Sequence, residues 1–104
     1  MEHAVIVHLR LSDDQFGAEA EREAIFYLEE LLTDAIEGAG LGEFDGNEFG
    51  GGECTLYMYG RDCDRMFNAI SPILASTRLT RGGHVVKRYG PATDPLAMEV
   101  RVPL

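Results

Sequence analysis

Residues 42–60, GEFDGNEFGGGECTLYMYG, constrain the fold more than any other stretch of the chain. They read as a strand, a glycine turn and a second strand. Phe49, Gly50, Gly51 and Gly52 carry the reversal, because glycine takes positive φ at little steric cost. The run CTLYMY at residues 54–59 alternates and is rich in strand formers, which makes it the best strand in the chain. A two-stranded ribbon alone is marginal, so the flanking segments must supply more strands and a cover.

The segment before the ribbon supplies one strand and one helix. In residues 3–11, Val5, Val7, Leu9 and Leu11 share one face, and Ala4, Ile6, His8 and Arg10 share the other. Ser12, Asp13, Asp14 and Gln15 have the form of a capping box, although Gly17 leaves a short turn before the main helix equally open. Over residues 18–39 the period is helical. Ala24, Ile25, Leu28, Leu31, Leu32, Ala35 and Ile36 fall on one arc, with Glu23, Glu30, Asp34 and Glu37 opposite. Phe26 and Tyr27 lie off the apolar arc, one on each side. Gly38 and Gly40 stop the helix.

After the ribbon, Asp62 is a natural N-cap for a second helix, whose core arc is Cys63, Met66, Phe67, Ile70, Ile73 and Leu74. Pro72 predicts a kink or an early end. Thr80, Arg81, Gly82 and Gly83 form a turn into a short strand, HVVKRY at 84–89. In the tail, Met98, Val100 and Val102 alternate with Glu99 and Arg101, which predicts a last strand at an edge of its own sheet or of a neighbour's. The order β-α-β-β-α-β plus a C-terminal strand predicts an α+β, ferredoxin-like sandwich in a single domain spanning residues 1–104. Its two helices would cover one face of a four-stranded antiparallel sheet, with the first and third strands in the centre.

The run GEFDGNEFGGGECTLYMYGRDCDRMF, followed by VVKRYGP, resembles small bacterial proteins of ferredoxin-like shape and unknown function. The resemblance covers most of the chain. It implies a fold and carries no activity with it.

Charge narrows the function classes. The net charge of −9 is unevenly spread. Residues 1–52 hold 13 acids against two arginines, a net of −11, whereas residues 53–104 hold five acids against seven basic residues, a net of +2. Such a chain is repelled by phosphate backbones, so no nucleic-acid partner is expected. No apolar run approaches the roughly 20 residues that span a bilayer, so no membrane partner is expected. The acidic second residue and Arg10 within a short apolar run argue against a secretory leader. Two cysteines without metal or redox spacing fit a reducing, cytoplasmic setting.

Candidate chemistry is sparse. Asp45, Asn47, Glu48 and Glu53 surround the ribbon turn but lack the spacing of a calcium loop, and solvation is the plainer reading. Glycines 50–52 resemble an anion nest, yet Glu48 and Glu53 would face the anion. No Gly-Lys-Ser/Thr follows to make a phosphate loop. His3 and His8 differ by five residues and so point to opposite faces, which breaks up a metal set with His84. Cys63 sits in the first turn of a helix, where a thiol pKa is lowered, but also in the apolar arc, where thiols are inert. No catalytic residue, metal or cofactor is expected, and the reading leans away from an enzyme.

Surfaces carry the expectation instead. If Val5, Val7 and Leu9 face the helices, His8 and Arg10 lie on the open sheet face. Tyr57 and Tyr59 join them if Cys54, Leu56 and Met58 turn inward. Phe26, Tyr27, Glu30 and Asp34 form a second surface, an aromatic anchor beside a charged rim. The sequence therefore predicts a small acidic, non-catalytic interaction or regulatory module that self-associates as a homodimer. A basic protein is its other expected partner. The alternative is a small-ligand binder or minor enzyme with a pocket between the sheet and the first helix.

Overall fold

The structure, a computed structural model, describes residues 2–104. Five antiparallel strands and two helices make an α+β fold. The elements are β1 (His3–Arg10), α1 (Glu19–Glu37), β2 (Gly42–Gly50), β3 (Glu53–Gly60), α2 (Cys63–Ala75), β4 (His84–Arg88) and β5 (Glu99–Pro103). A short 3-10 turn, Arg78–Thr80, precedes β4. The strand order is β2-β3-β1-β4-β5. The sheet is thus five-stranded rather than four-stranded, because the tail pairs with β4 of its own chain. That addition leaves β1 alone in the centre, with β3 and β4 on its flanks, instead of a central β1–β3 pair.

Alternation in β1 and β3 decides which face is covered. Val5, Val7, Leu9, Cys54, Leu56, Met58 and Val85 are at most 1% exposed and pack against the helices. Each helix contributes one stripe: Ile25, Leu28, Leu32 and Ile36 from α1, and Cys63, Met66, Ile70 and Leu74 from α2. Ala24 belongs to the predicted α1 arc yet is exposed, and Leu31 is only half-buried. Both border a shallow hollow between α1 and the end of α2, lined also by Ile73 and Leu79.

The helix ends follow local chemistry. The predicted capping box at residues 12–15 does not start α1. Asp13 Oδ1 instead accepts the backbone N–H groups of Gln15 and Gly17, at 2.9 Å each, and folds these residues into a turn. Glu21 then reaches back to Ala18 N (3.2 Å) and to Ser12 Oγ (2.9 Å), which satisfies the first turn of a helix that begins at Glu19. Asp62 caps α2 as expected, accepting from Asp64 N and Arg65 N. Pro72 does not end α2, which runs on to Ala75.

The ribbon turn is tighter than the four residues proposed for it. Strand β2 extends to Gly50, and only Gly51 and Gly52 reverse the chain, with φ of 61° and 79°. Two consecutive positive-φ residues match the right-handed twist of the strands on either side. Farther along β2 the register shifts between Phe44 and Gly46, so Asp45 forms a bulge on the sheet's outer edge.

Candidate functional site

The open face of the sheet carries a polar cleft of about 440 Å³ at the end where two glycine turns meet. Gly51-Gly52 leads into Glu53 on β3, and Gly82-Gly83 leads into His84 on β4. Between them lies His8 of β1, directly opposite His84 in the β1–β4 register. His8 Nδ1 and Glu53 Oε1 are 2.6 Å apart, and the His8 and His84 rings stack at 4.4 Å with a 10° interplanar angle. Arg10 and Arg101 complete the lining, with Asp13 and Asp14 at the rim.

Electrostatics at this cluster follow from those contacts. The hydrogen bond from His8 holds the Glu53 carboxyl below the usual glutamate range. Burial, then the neighbouring His8 and Arg101, push the His84 imidazole below the ordinary histidine range. Thr55 Oγ1 also lies 3.3 Å from Glu53 Oε1. The side chains at the cleft combine a carboxylate-bound imidazole, a second imidazole and two guanidinium groups.

Of the residues singled out from the sequence, His8 and Arg10 are both brought to this cleft. Tyr57 and Tyr59 share the open face with them, half-buried, because Cys54, Leu56 and Met58 turn inward. Burial, followed by the Asp45 carboxylate, raises the Tyr59 phenol. Sequence reasoning weighed His84 with His8 only as part of a metal set and missed Glu53 as a partner of His8. The available signal was positional: Glu53 and His84 each directly follow a glycine pair at a strand start, so both were bound to emerge at the same end of the sheet.

The other expected surface lies on the helix side. Phe26 and Tyr27 are 48% and 64% exposed, and Glu30 and Asp34 are exposed beside them. The Phe26 ring meets Phe49 of β2 edge-on, at 6.1 Å between centroids. Next to these acids a surface hollow is lined by Glu29, Glu30, Thr33, Asp34 and Phe44, the place where a pocket between the sheet and α1 was expected. Glu29 also accepts from Asn47 Nδ2 at 2.9 Å, so Asn47 ties α1 to β2.

The two cysteines sit in inert surroundings. Burial, then Glu29 and Glu53, push the Cys54 thiol up to about 12. Burial, then Asp64, raise the Cys63 thiol despite its place at a helix start. The fold does bring a histidine to Cys63, since the Cys63 backbone N–H donates to His3 Nδ1 at 3.2 Å. That contact caps the helix. Around it, Asp64 takes Tyr89 Oη at 2.7 Å and Lys87 Nζ at 2.9 Å, which fastens β4 to α2. Among the described residues, no group of three His, Cys, Asp or Glu side chains is arranged to hold a metal ion.

The tail departs most from expectation. Its apolar alternation is only partly buried. Val102, opposite Val85, packs against the core, but Val100 and Met98 remain 37% and 59% exposed. Leu96 and Leu104 are 90% and 38% exposed, so an apolar ledge runs along the outermost strand. No known protein family matches the chain, and no curated protein or solved structure is significantly similar to it.

Proposed function

We propose that the protein is a homodimeric interaction module that associates edge to edge through β5. The observation that carries this is the unburied apolar ledge of Val100 on the edge strand and Met98 just before it. The two edges of the sheet are unlike. The β2 edge is blunted by the Asp45 bulge and by the exposed acids Glu43 and Glu48, devices that discourage pairing. The β5 edge offers backbone groups up to Pro103 and a face that water wets poorly.

One register satisfies every side chain. A two-fold axis through Val100 sets Glu99 opposite the partner's Arg101 on the open face, and Arg101 opposite the partner's Glu99. On the helix face it sets Met98 opposite the partner's Val102 and Val100 against its own copy. The result is a continuous ten-stranded sheet. Within each protomer, the β2-β3-β1-β4 portion, with both crossover helices on one face, is the ferredoxin-like arrangement, and β5 is the element added for assembly. Five paired residues make a small interface beside the roughly 1,000 Å² of a stable one, so association belongs in the micromolar range or weaker. Light scattering across that range tests it: the mass should climb from 11.5 kDa towards twice that value with concentration. A constant 11.5 kDa up to high micromolar concentration refutes it.

A second reading concerns α1. Phe26 and Tyr27 stay exposed beside Glu30 and Asp34, a combination that suits a basic protein partner steered by charge. Such steering weakens as salt shortens the Debye length to about 8 Å. Capture of basic proteins by the wild type and by Glu30→Lys with Asp34→Lys separates the cases. Salt-sensitive capture lost in the variant, at unchanged melting temperature, supports a docking face. Equal capture returns the face to solvation.

A further inference from the structure

The open-face cleft holds more charge chemistry than a structural role requires. Its acids are largely committed. Glu53 is engaged by His8, and Asp13 Oδ1 accepts two backbone N–H groups of its own loop. Its bases are not. Among the described residues, neither Arg10 nor Arg101 has a carboxylate within ion-pair distance, although acids outnumber basic residues two to one in the chain. His8 uses Nδ1 on Glu53, which leaves Nε2 without a protein partner. The Gly82-Gly83 turn packs closely against β1 at the edge of the cleft. A Cβ on Gly82 would lie 3.2 Å from Arg10 Cδ, and one on Gly83 would lie 2.2 Å from His8 O.

We propose that this cleft is a binding site for a small carboxylate, held by Arg10 and Arg101 together with the stacked imidazoles of His8 and His84. A guanidinium fork matches the two oxygens of a carboxylate, which makes paired, charge-assisted hydrogen bonds. Imidazole adds a donor when it is protonated. Asp14, exposed at the rim, disfavours a second anionic group on the ligand, so the class is monocarboxylate rather than phosphate or polyacid. The groups facing the two imidazoles are Glu53 from β3, Arg10 and Asp13 from β1 and its loop, and Arg101 from β5. Burial, then His8 and Arg101, hold the His84 imidazole below the ordinary histidine range, so near neutral pH the two guanidinium groups carry the binding.

Arg101 is shared with the proposed dimer, where it faces the partner's Glu99, so the site is tested at a concentration where the chain is monomeric and through Arg10, which lies off β5. The probe is sodium acetate titrated against sodium phosphate and sodium chloride at matched ionic strength, read by the imidazole NMR signals of all three histidines. His3, on the opposite face beside Tyr89, is the internal control. Acetate should move His8 and His84 saturably and leave His3 in place. Arg10→Ala, which leaves the β5 edge untouched, should weaken acetate binding by about tenfold or more while the His3 signal stays native. Equal shifts with chloride, saturation by phosphate alone, or undiminished binding in the Arg10 variant would each overturn the proposal.

Discussion

At the scale of single residues, burial overrides position. Cys63 opens a helix, where a thiol is ordinarily made more acidic, yet its side chain is fully buried and the thiol is raised instead. Cys54, also fully buried, is pushed up to about 12. Neither thiol supplies a thiolate near neutral pH. Both are therefore expected to react with an aromatic disulfide reagent only as fast as the chain unfolds, and Cys63→Ala should cost about 1 kcal/mol of packing. Reaction of native protein at the rate of a free peptide thiol would show that the core opens around one of them. The glycine turn gives a sharper contrast. Gly51 and Gly52 both have positive φ, but a Cβ on Gly51 meets open space, whereas one on Gly52 would lie 2.8 Å from Asp13 O. Gly51→Ala should cost about 1 kcal/mol in backbone strain, and Gly52→Ala clearly more. Denaturant melts that rank them equally would mean that the loop at residues 12–16 yields freely.

At the scale of elements, what the sequence revealed depended on whether the controlling contact was local. Asp62 with its helix and the alternation of β1 and β3 are local patterns that appear where they were expected, and the glycine reversal appears there too, narrowed from four residues to two. The helical period from residue 18 placed the start of α1 within one residue. The choice between a capping box and a turn at residues 12–15 was open in the sequence, because a carboxylate nine residues away settles it: Glu21 reaches back to Ser12. The His8–Glu53 pair spans 45 residues and depends on a three-strand register, so its members were visible only as isolated polar positions. Strand β5 lies between these cases. Its alternation marked it as a strand, but its burial depended on how far α2 reaches across β4. Only Val102 meets the core, so Val102→Ala should lower stability by about 1 kcal/mol, whereas Met98→Ala should change the monomer little. Equal losses from the two, measured by denaturation at low protein concentration, would show that the ledge is packed within one chain.

At the scale of the whole molecule, one sheet edge is protected and the other is not. Bulge and carboxylates seal β2, while β5 carries an exposed valine, preceded by an exposed methionine, with an acid and an arginine spaced two apart. Glu99 and Arg101 are self-complementary across a two-fold axis through Val100, and the proposed dimer rests on that spacing. Single reversals break it. Glu99→Arg sets two arginines opposite each other on both sides of the axis, and Arg101→Glu does the same with two carboxylates. A mixture of the two variants restores opposite charges at both positions. The decisive measurement is the light-scattering mass of each variant alone and of their equimolar mixture, at a concentration where the wild type is dimeric. The account predicts 11.5 kDa for each variant by itself and close to twice that mass for the mixture. A mixture that stays at 11.5 kDa, or single variants that dimerise as readily as the wild type, would contradict it.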